Sequence, residues 1–181
     1  MPTESTVTIH DLDENNVGHV NNCNGAFIVD SKLCLHAENG EINYSVVKVP
    51  EYEKRYPIEE VDYNEFIRNP DQAIFLAYVL GQIAGQIILR KNWNRYGYIE
   101  SLAVDAKVRK KGVGRRLVAK AIEWAQARNL PGIALETQDT NVGACHFYES
   151  CGFRLSGFDH LLYQGKNPTS KEVALYWYLI F

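Results

Sequence analysis

Tyr98-Ile99-Glu100-Ser101-Leu102-Ala103-Val104-Asp105-Ala106-Lys107-Val108-Arg109-Lys110-Lys111-Gly112-Val113-Gly114-Arg115-Arg116 decides how the rest of the chain is read. Tyr98 to Val104 has the composition of a strand, Asp105 to Val108 reads as a turn, and Arg109 to Arg116 runs into an amphipathic helix. The first turn of a helix carries backbone N–H groups with no partner inside the helix, and the helix dipole adds partial positive charge there. Gly112 and Gly114 lack a Cβ, so a large anion can approach the backbone closely. Arg109, Lys110, Lys111, Arg115 and Arg116 add side-chain cations. A pyrophosphate suits such a cradle. The spacing fits neither G-x-x-x-x-G-K-[S/T] nor G-x-G-x-x-G, which argues against a nucleotide-hydrolysing loop and a dinucleotide fold.

Working outward, 181 residues fit one domain with a sizeable core. Hydrophobic residues make up 46% and charged residues 23%, as in an ordinary globular protein. The formal net charge is −3, so the basic cluster is local and suits a small anion better than nucleic acid. No apolar run reaches transmembrane length. The opening residues Met1 to Ser5 lack the basic and apolar regions of a signal peptide, so a cytoplasmic protein without membrane or nucleic-acid partners is expected. Cys23, Cys34, Cys145 and Cys151 form no Cys-x-x-Cys pair. His10, His19, His36, His146 and His160 show no metal-ligand spacing, so no metal is expected.

Before the deciding stretch, residues 3–24 read as a polar lead-in with room for one short element. Ala26 to Leu35 and Ile42 to Val49 read as a hairpin around Asn39-Gly40. Pro50 to Arg68 is acidic and tyrosine-rich, with Glu59, Glu60, Asp62 and Glu65, and is helical near Ile58 to Ile67. It reads as a solvated face or as a rim that attracts a cationic substrate. Ala73 to Leu80, Ile83 to Arg90 and Tyr98 to Val104 make an antiparallel meander. After the deciding stretch, Val113 to Arg128 is the clearest helix, with apolar residues three and four apart. Gly132 to Glu136 is a strand, Asn141 to Glu149 a second helix, and Phe153 to Tyr163 and Val173 to Phe181 the last strands.

Arg109-x-x-Gly112-x-Gly114 resembles the pyrophosphate loop of the GNAT superfamily of acyl-CoA N-acyltransferases. A second signature follows: Asn141, Ala144 three residues on, Phe147-Tyr148, then Gly152-Phe153, similar to the second motif of that superfamily. The segments Leu89 to Tyr96, Ile122 to Ala125, Leu135 to Asp139 and Tyr176 to Tyr178 resemble the streptothricin acetyltransferase subgroup over roughly residues 86–181. The resemblance implies an α/β (α+β) fold with a mixed, mostly antiparallel central sheet flanked by helices. It implies one acetyltransferase domain over residues 1–181, with a divergent hairpin and acidic segment at 1–70 and a core at 73–181.

The same resemblance implies acetyl transfer from acetyl-CoA to a primary amine on the β-lysine arm of streptothricin, which confers antibiotic resistance. Another small amine or protein lysine as acceptor, or a non-catalytic acyl-CoA sensor, stays open, and a homodimer is compatible with the sequence. By position in the family motifs, the cofactor contacts are the backbone of Leu102, Ala103 and Val104, the loop Arg109, Lys110, Lys111, Gly112, Val113, Gly114 and Arg115, and Asn141, Ala144 and Tyr148. Tyr148 is expected to give a proton to the leaving thiolate. Glu100 is the expected general base, with Glu136 the alternative. Glu136 and Asp159 are also expected to meet the cationic acceptor.

Overall fold

A computed structural model describes residues 6–58 and 60–181. The expectations drawn on Met1 to Ser5 and on Glu59 lie outside the described residues. In chain order the strands are β1 (Val7–Asp11), β2 (Phe27–Glu38), β3 (Glu41–Lys54), β4 (Gln72–Val79), β5 (Gln82–Lys91), β6 (Gly97–Val104), β7 (Gly132–Gln138), β8 (Arg154–Asp159) and β9 (Ala174–Ile180). The helices are α1 (Asn64–Arg68), α2 (Val113–Gln126) and α3 (Val142–Ser150). They group into two units, residues 1–26 with 55–133 and residues 27–54 with 134–181. Among the described residues no helix is long and apolar enough to cross a membrane.

The first unit is built on neighbouring strands in the order β1-β4-β5-β6, each pair antiparallel. The meander expected from short polar connections is present. The polar lead-in holds β1, whose Val7 is buried while its other residues stay more open. That single apolar contact is too little for the sequence pattern to show. On one side of the sheet Ile74, Leu76 and Ile88 pack with Leu12, Val20 and Phe66. The helix α1 is shorter than the 58–67 expected, because only Phe66 of its five residues is buried and gives it an anchor. On the other side α2 turns Val113, Leu117, Val118, Ala121, Trp124 and Ala125 inward. Two glycines permit this close approach. A Cβ on Gly85 would meet the Ala103 carbonyl at 2.7 Å and Leu117 at 3.2 Å, and one on Gly97 would lie 3.3 Å from Trp124.

The second unit contains the β2–β3 hairpin, α3 and the neighbouring strands β7-β9-β8. Asn39 at φ 51° and Gly40 at φ 80° close the hairpin as the Asn-Gly turn requires. Both strands run further than the sequence pattern suggested. Pro50 reads as a strand end, yet it falls where the register shifts between Val29 and Ser31, a bulge that needs no ladder N–H from it. The hairpin lies on α3, where the Tyr44 hydroxyl donates to Glu149 Oε2 at 2.8 Å, and Leu33 N–H donates to the Asp139 carbonyl at 2.9 Å. A buried polar string fixes the direction of β7: Trp177 Nε1 donates to Thr137 Oγ1 at 2.9 Å, which lies 3.4 Å from Cys145 Sγ. With Thr137 turned into the core, alternation turns Glu136 and Gln138 to the other face.

Candidate active site

In the first unit, β6 leads into the anion loop. Asp105 Oδ1 accepts the Lys107 N–H at 3.0 Å and so caps a short 3-10 turn at Ala106–Val108. Arg109 then turns back, and its Nε donates to the Val104 carbonyl at 3.1 Å. The side chain expected to support the pyrophosphate is therefore also a strut for the strand end. Lys110 at φ 63° and Gly112 at φ 82° place two left-handed residues in the loop, a conformation that turns successive amides inward. Gly112 caps α2 with no side-chain hydrogen bond. The position its Cβ would take has no atom within 4 Å. The helix ladder begins with Arg116 N–H on the Gly112 carbonyl at 3.1 Å, so the amides of Val113, Gly114 and Arg115 lie ahead of it. Val113 is 1% exposed and anchors this mouth in the core. An open, cationic, amide-lined helix end with room at Gly112 fits a pyrophosphate. Leu102, Ala103 and Val104, whose backbone is expected to meet the cosubstrate, are part-exposed.

Glu100 occupies a special place in β6. The β5 ladder pairs Ile88 with Ser101 and Leu89 with Ile99, so Glu100 is the extra residue of a bulge. Its carboxylate is ion-paired with Arg90 on β5.

In the second unit, Glu136 on β7 is part-buried, and its Oε1 accepts a hydrogen bond from the Tyr163 hydroxyl. Burial pushes its carboxyl up to about 7, which places a proton acceptor in the working range of a general base. Tyr163 was not singled out in the sequence, where it reads as the end of a strand. That strand stops at Asp159, whose Oδ1 accepts the N–H groups of Leu161 at 2.7 Å and Leu162 at 3.2 Å. The resulting 3-10 turn, Leu162–Gly165, delivers Tyr163 to Glu136. The sequence offered a signal in Asp159 followed by His160 and Leu161, a side chain able to bond its own backbone two residues on. Asp159 thus shapes the turn, whatever it does toward a cationic acceptor.

Tyr148 lies on α3, 6% exposed, with its ring 5.5 Å from Phe153 and 5.3 Å from Phe147, both edge-on. These contacts fix the orientation of the ring. Asn141 caps α3 by accepting the Ala144 N–H at 3.2 Å. The spacing that marks the second motif is thereby the spacing of a helix cap. Among the described residues no group of histidine, cysteine, aspartate or glutamate could hold a metal ion.

A mostly antiparallel sheet flanked by helices, with a strand feeding a glycine-mouthed helix, defines an acyl-CoA-dependent transferase. The chain belongs to the acetyltransferase (GNAT) family, whose sequence profile matches residues 43–153. It is an acetyl-CoA-dependent N-acetyltransferase. Streptothricin acetyltransferase A of Bacillus subtilis (strain 168) is 38% identical over 167 residues, 92% of this chain and 95% of that protein. A crystal structure of a protein provisionally named streptothricin acetyltransferase, from Bacillus anthracis str. Ames in complex with acetyl coenzyme A, superposes with a TM-score of 0.92. It is 49% identical and covers 97% of this chain and 100% of its own. N-alpha-acetyltransferase 30 of Xenopus laevis is 41% identical over 101 residues, but over only 54% of this chain and 37% of its own length.

Proposed function

We propose that this enzyme acetylates a primary amine of streptothricin, on its β-lysine arm, and so confers resistance. The observation that carries this is the extent of the likeness to the Bacillus subtilis streptothricin enzyme. It spans 92% of the chain, so it takes in β2 and other residues outside the 43–153 of the family profile. The Xenopus laevis N-alpha-acetyltransferase 30 is matched over 54% of this chain, and its Dictyostelium discoideum counterpart, matched over 83%, is only 28% identical, against 38% over 92% for the streptothricin enzyme, which favours the small-molecule acceptor over a peptide amine.

The chemistry follows from the residues. Acetyl-CoA supplies an activated acetyl group as a thioester. The acceptor nitrogen forms a bond to the acetyl carbon while the C–S bond breaks. Amides of the 109–115 loop hold the cosubstrate's pyrophosphate. Glu136, with its carboxyl raised to about 7 by burial, takes the amine proton in preference to Glu100, whose charge is already matched by Arg90. Tyr148 protonates the departing thiolate. Residues 1–181 act as a single acetyltransferase domain, in the cytoplasm beside the cosubstrate.

The test is release of free CoA thiol from acetyl-CoA with streptothricin, run beside spermidine, lysine and a lysine peptide. Release with streptothricin far above the other three is the expected result. Release confined to another amine overturns the acceptor and keeps the enzyme class.

A further inference from the structure

Residues 21–25 are tied down at both ends by side chains that the acetyl-transfer chemistry leaves unused. At one end Asn21 adopts a left-handed backbone, φ 65°. Its N–H donates to Gln86 Oε1 at 2.6 Å, and Gln86 Nε2 donates back to Asn21 Oδ1 at 2.7 Å. Asn21 Nδ2 in turn donates to the Tyr63 hydroxyl at 2.7 Å. Gln86 is only 1% exposed. An amide that deep is costly unless both of its atoms are matched, and here both are.

At the other end stands Asp105, the residue between β6 and the anion loop. Its Oδ2 accepts the Asn24 N–H at 2.9 Å while its Oδ1 accepts the Lys107 N–H at 3.0 Å. Ala106 N–H donates to the Asn24 carbonyl at 3.1 Å, and Asp105 N–H donates to Ala84 at 2.9 Å. Backbone amides of Asn24 and Lys107 hold the Asp105 carboxyl below the usual range. Between the two ends, a Cβ on Gly25 would sit 3.8 Å from the Ala103 Cβ. Ala103 is also the ladder partner of Gln86. The strap therefore runs along the C-terminal end of β6, on the side that Gln86 faces, and finishes on the carboxylate that opens the loop.

We infer that the Asn21–Gly25 strap is a positioning element for acetyl-CoA: through Asp105, the buried Gln86 of β5 sets how well the amides of the 106–115 segment are aligned for an anion. The inference rests on the assignment of that loop to the cosubstrate's pyrophosphate. A loop that spends part of its time misaligned binds its ligand more weakly in proportion to the competent fraction. One carboxylate shared between Asn24 and Lys107 means that loosening the strap also loosens the first turn of the loop.

The experiment is calorimetric titration of acetyl-CoA into the full chain. Gln86→Leu and Asp105→Asn should each weaken binding by about tenfold, the scale of one or two lost hydrogen bonds. The double variant should bind no more weakly than the worse single one, because both changes release the same strap. Asn21→Asp tolerates the left-handed backbone, keeps the N–H to Gln86 Oε1 and an acceptor for Gln86 Nε2, and should stay within about threefold of wild type. Asn21→Val, strained at positive φ, should behave like Gln86→Leu. A general loss of structure would not spare Asn21→Asp or make the two changes non-additive. Wild-type affinity in the strap variants, or effects that multiply, overturns the inference. Gly112→Asp serves as the reference: if it abolishes binding while the strap variants bind normally, the loop assignment stands and the strap role falls. If it binds normally, the loop assignment falls and takes the strap role with it.

Discussion

Tyr163 donates its phenolic hydrogen to Glu136, so a part-buried carboxylate meets a hydroxyl from a turn that Asp159 makes. Desolvation leaves this carboxyl with a value near 7. The proposed role of Glu136 as base ties activity to the ionisation of this one glutamate, and the tie can be measured.

The base form of Glu136 is present above about 7, so kcat/KM for the amine should rise with pH through that value. Glu136→Gln should lower kcat/KM by about a hundredfold or more, the usual contribution of a general base, and should remove that limb of the profile. A limb that persists in Glu136→Gln would assign the titration to another group.

The same shift has a consequence for stability. The folded state raises the Glu136 carboxyl from 4.5 to about 7, so its protonated form favours folding. That contribution is complete below the unfolded value and is lost as pH rises through about 7. Glu136→Gln, which cannot ionise, should gain in melting temperature relative to wild type between pH 5 and pH 8. A difference that is flat across this range would show that burial does not control the group.

Tyr148→Phe removes one hydroxyl from a ring that is otherwise packed against Phe147 and Phe153. Turnover should fall by about a hundredfold, as for a lost general acid, with acetyl-CoA affinity nearly unchanged. Unchanged turnover in a thiol-release assay would take Tyr148 out of the mechanism.

Gly112→Asp places a carboxylate in the open mouth of α2 and forces a side chain onto a φ of 82°. Acetyl-CoA binding should be lost in titration while the thermal transition stays cooperative. Full affinity would sink the loop assignment.

Asn141→Ala removes the side-chain acceptor of the Ala144 N–H. The cost should be about 1 kcal/mol of stability, typical of an N-cap, read by denaturant titration. A loss of acetyl-CoA affinity beyond that would support a direct contact with the cosubstrate.

The sequence by itself determined what is local. The glycine found at φ 82°, the cations beside it and the apolar stripe of α2 all lie within a few turns of chain, so spacing alone pointed to this helix start as the expected anion loop. The Asn-Gly turn of the hairpin was legible for the same reason. Glu100 and Glu136 look alike in a sequence because each is a glutamate on a strand. Only folding gave one of them Arg90 and the other a desolvated place beside Tyr163. Asn21 and Gln86 are 65 residues apart, and no spacing rule joins them. The value of a carboxyl and the partner of a buried amide depend on what the rest of the chain packs around them, and that is decided only in the tertiary structure.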